Sequence, residues 1–387
     1  MNSCDVLVVG GGPAGSSCAW KLRATGLDVL ILDKQTFPRD KVCGGWITPQ
    51  VLDELQIDPS DYGPGRTFQP IHGFRTSRIG DPEIESDYGR VVSYGIRRFE
   101  FDEYLLRRSG ARVIEGVPFE RLERNGDGWV VNGNIRAHLV IGAGGHFCPV
   151  ARFMGARMGR EEIVAAQEAE FEMNVQQQEK CSIRPEMPEL YFCADMRGYG
   201  WCFRKGNILN VGFGRLDRHS LSKQVAEFLE FLKRTGKVAF DLPSNILGHA
   251  YLLYSKTTRT LVDDGLMLIG DAAGLAYSQS GEGIRPAIES GLLAAQVIAD
   301  CARDYNRAGL ENYSKLLADR FGSTRGDWAT NLGRKLSPRL VSGIARQLLR
   351  TEWFPRRVVL DRWFLHANES ALRTPALQPK ARQALAG

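Results

Sequence analysis

The segment Val6-Leu-Val-Val-Gly10-Gly-Gly12-Pro-Ala14-Gly15 constrains this chain more than any other. Asp5–Val9 reads as a short apolar strand and Gly10–Gly15 as a Gly-rich turn. Pro13–Thr25 has helical spacing, with Gly26 as its stop. Leu27–Leu32 is a second buried strand, ending at Asp33. Together these pieces make one βαβ unit. Its glycines allow a tight turn, a close approach of backbone to a pyrophosphate, and close packing of helix on strand. The helix N-terminus offers free N–H groups and a positive dipole end to phosphates. Asp33 stands where a carboxylate accepts hydrogen bonds from a ribose. Gly10, Gly12, Ala14, Gly15 and Asp33 are therefore read as nucleotide-binding positions. A Gly-rich turn alone says little; here the strand before, the helix after and the acid beyond all agree.

The unit sits in a chain of 387 residues, too long for one small domain and long enough for two or three modules. With 25% charged and 43% hydrophobic residues, the composition excludes a disordered or fibrous protein. No apolar run is long enough to cross a bilayer. Asp5 breaks the N-terminal apolar run, so a strand is expected there rather than a signal peptide. The eight cysteines form no C-x-x-C pair and no zinc-spaced cluster with histidine, so no metal site is expected. Cys18 and Cys301 fall in helical apolar patterns and read as inert core thiols. The expected compartment is a reducing cytoplasm.

A net charge of +5 is too mild to argue for nucleic acid, but it is unevenly placed. From 331 to 387, 11 Lys/Arg stand against 3 acids, leaving the rest of the chain net acidic. Within this tail, Trp353–Leu365 mixes aromatic and aliphatic residues with arginines. Two readings stay open: an interfacial helix on anionic lipid, giving a peripheral membrane contact, or a helical cap with solvated arginines.

A second region chooses between nicotinamide and flavin. Leu266-Met-Leu-Ile-Gly270-Asp271-Ala-Ala-Gly274 is a buried strand ending in Gly-Asp. Ser280-Gly-Glu-Gly283-Ile284 and an apolar helix follow. Asp271 at a strand end can hold the ribityl hydroxyls of a flavin. Gly283 and Ile284 bring a helix N-terminus to the flavin ring, where its dipole favours negative charge in the reduced state. The cofactor expected is FAD.

The two segments together resemble the FAD-dependent oxidoreductases built like p-hydroxybenzoate hydroxylase, and among them the geranylgeranyl reductase family. Arg39-Asp-Lys41-Val-Cys43-Gly44-Gly45 is similar to that family's K-x-C-G-G segment. Gly198-Tyr199-Gly-Trp201-Cys-Phe203-Arg204-Lys205 is similar to its Y-x-W-x-F-P-K motif, and Arg98-Phe-Glu-Phe101-Asp102 to its R-x-x-F-D segment. The resemblance covers residues 1 to about 300. Three departures stand out: Arg204 replaces Pro, Gly144-Gly145 replaces the Asp-Gly of hydroxylase-type relatives, and Ser278 replaces Pro.

The resemblance implies an α/β fold with a discontinuous Rossmann-like FAD-binding domain over 1–60, 90–155 and 258–300. An antiparallel-sheet substrate domain would take 61–89 and 156–257, and a helical C-terminal part 301–387. It implies hydride transfer from reduced flavin to C=C bonds of a prenyl substrate. The electron donor, a nicotinamide cofactor or a small redox protein, is not specified. Arg39, Lys41 and Gly44 would contact the cofactor, and Arg98 would pair with its pyrophosphate or else be a surface arginine. Cys43 would donate a proton or touch substrate, its thiol pKa lowered by nearby cations, or else belong to a close-packed turn. Tyr199, Trp201 and Phe203 alternate, so in a strand they share one face. They would line an apolar tunnel or form ordinary sheet core. His146 and His249 read as isolated structural histidines. The alternative functions are an aromatic hydroxylase or a flavin-dependent halogenase, which use O₂, and a non-catalytic flavin-binding protein.

Overall fold

The computed structural model describes residues 2–216, 221–243, 245–322 and 338–378. Strand Asn2–Val9 runs through the Gly-rich turn into helix Pro13–Leu22, and Val29–Leu32 returns parallel to it. Ile135–Gly142 pairs along its other side, with Val6 opposite Leu139, and Leu266–Leu268 pairs beyond that. These strands are apolar at successive positions because both sheet faces are covered; Val6, Leu7, Val8, Leu139, Val140 and Ile141 are all buried. The eight-stranded sheet runs in the order 262–263, 266–268, 135–142, 2–9, 29–32, 112–114. The hairpin of Leu122–Asn125 and Gly128–Val131 extends it from Ile135–Gly142. Helix Ile284–Asp300 lies hard against Pro13–Leu22. A Cβ at Gly291 would sit 2.4 Å from the Ala14 carbonyl oxygen.

A seven-stranded sheet forms the second layer, in the order 247–252, 163–172, 208–215, 198–205, 189–192, 73–78, 84–87. It is antiparallel except where Glu189–Phe192 runs parallel to Gly73–Arg78. Its outer face is covered by helix Leu221–Arg234 through Leu221, Val225, Phe228 and Leu232. Phe228 packs directly on backbone at Gly200, where a Cβ would approach its ring to 2.5 Å. The alternate residues Trp201 and Phe203 point to the opposite face, toward the first sheet. A three-stranded sheet of Trp46–Ile47, Ser93–Ile96 and Phe68–Ile71 lies between the two.

The end of the chain is less helical than its sequence pattern predicts. Helices span Asn312–Phe321 and Pro338–Leu349, and a wide π-type helix spans Pro355–Phe364, closed by Leu365 N–H on the Leu360 carbonyl. From 365 to 378 the chain has no helix. Side chains of the body take up its backbone groups instead. Glu54 Oε1 accepts the Leu372 N–H at 3.0 Å, Arg285 and Arg320 each donate to the Ser370 carbonyl, and Lys21 donates to the Pro375 carbonyl. Backbone groups bonded this way have no need of helix partners.

Candidate functional site

Strands 2–9, 135–142 and 266–268 end at one edge of the sheet, where parallel α/β folds bind ligands. Gly10 there has φ +118°, and a Cβ would lie 2.4 Å from the Ala143 carbonyl oxygen. The turn can pass the neighbouring strand only as glycine. Helix Pro13–Leu22 opens at Gly12 with no side-chain cap, leaving its first N–H groups to face the cavity. Asp33 is fixed at the rim: Oδ2 accepts the Gly11 N–H at 2.7 Å and Oδ1 the Gln35 N–H at 2.8 Å. Gly10, Gly12, Ala14 and Asp33 line the cavity. Gly15 does not; a Cβ there would lie 2.0 Å from the Gly10 carbonyl oxygen, so its role is to let helix meet strand.

One buried carboxylate, Asp102, organises two arginines. Arg98 binds it through Nε and Nη2 at 2.6 and 2.7 Å, and Arg39 Nη2 approaches at 3.0 Å. Arg39 Nη1 is buried and has no hydrogen-bond partner among the described residues. It belongs to a side chain that lies beside Gly12, at the helix N-terminus. The charge of Arg98 also acts on the Cys43 thiol.

Cys43 lies across the cavity from this helix. Its N–H donates to Glu168 Oε1 at 2.6 Å, and its carbonyl accepts from Asn210 Nδ2 at 3.1 Å. Gly44 lets the loop rest on the aromatic wall, since a Cβ would meet Phe203 at 3.2 Å and the Trp201 Nε1 at 3.5 Å. The thiol differs from expectation. Burial pushes its pKa up, and the pull of Arg98 does not reverse it, so Cys43 is a neutral thiol rather than a thiolate. Tyr199, Trp201 and Phe203 all line the same cavity. Trp201 donates to Asn210 Oδ1 at 2.7 Å. Its indole lies flat over Gly212 of the next strand, where a Cβ would be 2.1 Å away. Trp46 completes the wall 4.9 Å from Phe203, and Phe364 backs it, its ring 5.4 Å from Trp46.

His249 is not isolated. Lys41 Nζ stands 3.0 Å from its Nδ1, and Asp271 Oδ2 stands 3.7 Å from its Nε2. Burial pushes Lys41 down to about 8, against the pull of Asp271. Burial alone would raise the Asp271 carboxyl, but nearby His249, Lys41 and Arg98 outweigh it and hold the carboxyl low. His146 is buried beside Arg259, and burial with that charge pushes it down to about 4. Arg259 is clamped by Glu161 at 2.6 and 2.7 Å and donates to the Ala272 carbonyl at 2.8 Å, which fixes the loop carrying Asp271. Gly283 and Ile284 line the cavity at the start of helix Ile284–Asp300.

A family model for an NAD(P)-binding Rossmann-like domain matches residues 8–78. The menaquinone reductase of Mycobacterium tuberculosis H37Rv is 30% identical over 346 residues, covering 83% of this chain and 81% of that protein. Digeranylgeranylglycerophospholipid reductase 3 of Methanosphaera stadtmanae is 30% identical over 347 residues, with 83% and 84% covered. The chain belongs to the geranylgeranyl reductase family of FAD-dependent oxidoreductases. A crystal structure of a geranylgeranyl bacteriochlorophyll reductase-like protein from Thermoplasma acidophilum is similar over 90% of this chain and 92% of that one, with TM-score 0.73 and 25% identity. The halogenase PltM, crystallised with FAD, shares the fold at TM-score 0.67 and 18% identity.

The residues of this family member fit FAD. The reductase has a cavity of about 950 Å³ that reaches from Gly12 to Trp201. Arg39, which lines that cavity beside an uncapped helix N-terminus, keeps a buried guanidinium N–H with no partner among the described residues, as a phosphate requires. Sequence reasoning missed Glu168, Asn210, Arg259, Trp46 and Phe364 as parts of this site. Nothing in the spacing of these residues marks them. They reach the site through strand register and through the return of the tail.

Proposed function

We propose that the protein saturates C=C bonds in a prenyl chain of a lipid or quinone. The observation that carries this reading is the continuity of two surfaces. The cofactor motifs and the wall of Trp46, Tyr199, Trp201 and Phe203 open on one cavity, with Cys43 between them. Bound FAD supplies the hydride for one carbon of the double bond. Asp271 would hold its ribityl hydroxyls, Arg39 and the helix N-terminus at Gly12 its pyrophosphate, and Arg98 the ring side of that cradle near Cys43. The aromatic wall binds an apolar chain by area and keeps water out. The Cys43 thiol, protonated at neutral pH, contacts the substrate at Sγ. Protein reduced without O₂ and mixed with a geranylgeranyl lipid is expected to reoxidise, the lipid gaining two hydrogens per bond. Reoxidation only on admitting O₂, with oxygen inserted into a substrate, would move the protein to the monooxygenase reading.

A peripheral membrane contact through the tail supports delivery of such a substrate. Among the described residues no helix is long and apolar enough to cross a membrane. The apolar side of Pro355–Phe364 is spent on the core behind the cavity wall, through Val359, Leu360 and Phe364. Trp353 is 63% exposed and Ile344 45%, on a stretch that also exposes Arg346, Arg350 and Arg357. Sedimentation with vesicles should rise with anionic lipid and fall with salt, each cation near the surface contributing about 1 kcal/mol. Binding indifferent to both would leave the tail as a cap on the cavity.

A further inference from the structure

We propose that Glu168 hands the proton to the substrate in this cavity. The proposal rests on the prenyl-reduction reading and adds the residue that completes it. Glu168 lies on strand Ile163–Glu172 and lines the cavity, yet it is only 5% exposed. Its two oxygens are used unequally. Oε1 accepts the Cys43 N–H at 2.6 Å, whereas Oε2 is buried with no hydrogen-bond partner among the described residues. Holding the Cys43 loop needs Oε1 alone.

The surrounding charged groups are already engaged. Lys205 binds Glu170 Oε2 and the Ile96 carbonyl. Asn210 Nδ2 serves the Cys43 carbonyl and Glu170. Arg98 is held by Asp102 through Nε and Nη2. A bare carboxylate oxygen shut away from water is costly, and a proton on it removes that cost. Burial pushes the Glu168 carboxyl up to about 7; Glu170 adds to the rise, while the Cys43 N–H, the charge of Lys205 and the Asn210 side chain hold it back. An acid that titrates near neutrality both gives and recovers a proton readily.

Saturating one C=C takes one hydride and one proton. The Oε2–H bond breaks as a C–H bond forms at the carbon that does not receive the hydride. The O–H electron pair stays on the carboxylate, which water then reprotonates.

Glu168→Gln keeps an acceptor for the Cys43 N–H and removes the acid. In FAD-loaded protein reduced without O₂, its reoxidation by a geranylgeranyl lipid should slow by about 10²-fold or more. The wild-type rate should fall as pH rises through about 7, and that fall should be missing in Glu168→Gln. Cys43→Ser should keep the fall. An infrared difference spectrum, wild type minus Glu168→Gln, needs no substrate; it should show a protonated carboxyl band that titrates near the same pH. A Glu168→Gln variant with the wild-type rate, or a slower one with the wild-type pH profile, overturns the proposal. So does the absence of the titrating band. If wild-type protein ignores every prenyl lipid while the band titrates, the substrate reading has failed and the acid remains.

Discussion

Asp271→Ala is expected to purify folded but with FAD affinity lowered by about ten- to a hundredfold. That is the loss of one hydrogen bond to a charged acceptor, about 1.5–3 kcal/mol. The carboxylate is kept ionised by His249, Lys41 and Arg98, so at the proposed site it would offer a bound cofactor a charged acceptor. Removing it strands Lys41, but burial already pushes that amine down to about 8, and it can shed its proton. The Arg259 clamp holds the Ala272 carbonyl, a backbone group, so the loop should stay in place. Asp271→Asn, which keeps shape and loses charge, should fall between the two. The ratio of flavin to protein absorbance reads the result, with thermal melting as the control for folding. A variant that stays yellow at full occupancy would remove Asp271 from the cofactor site.

Arg285→Ala is expected to cost about 1.5–3 kcal/mol of folding stability, the usual loss of buried hydrogen bonds to a charged group, since Arg320 keeps Glu289 paired. Arg285 is 1% exposed and lies 2.9 Å from Glu289 and 3.2 Å from Glu54, both buried. Arg320 also binds Glu289, donating to the same Oε1 at 2.6 Å and to Oε2 at 2.9 Å. Arg285 and Arg320 also hold the Ser370 carbonyl, and Glu54 holds the Leu372 N–H. The cluster therefore ties the last part of the described chain to the FAD-binding layer. Denaturant unfolding measures the loss, and proteolysis should become fast near 370. A change below about 1 kcal/mol would mean that the site relaxes around the gap. Burial and the charge of Glu289 push the Glu54 carboxyl well above its ordinary range, so it stays protonated near neutrality. The folded chain thus keeps a proton that the unfolded chain sheds. The contribution of Glu54 to stability falls as pH rises from the ordinary carboxylate range through neutrality, and Glu54→Gln should flatten that slope.

The cofactor half of the site was legible because its physics is local. Gly10 must pass a neighbouring strand, Pro13 must start a helix, and Asp33 must end a strand, all within one βαβ unit. The period-two spacing of Tyr199, Trp201 and Phe203 is equally local, since alternate side chains of any strand share a face. Charge was less readable. The cations near Cys43 pointed to a lowered thiol pKa, but burial, which no local pattern reports, pushes it the other way. His249 looked solitary because Lys41 and Asp271, its partners, are far off in the chain.

Residues close together in the sequence dictate that this chain folds around a flavin nucleotide, since turn, helix start and acid act over a few residues each. The same short motifs suffice to mark the reductase family. What surrounds the reacting end depends on how distant segments meet. Strand register brings Glu168, Asn210 and Gly212 under Cys43 and Trp201, and the returning tail places Phe364 on Trp46. The contacts of Glu168 and Asn210 with Cys43, and of Phe364 with Trp46, each join segments more than a hundred residues apart. The burial they create sets the charge of the groups in the cavity, and no short stretch of sequence encodes it.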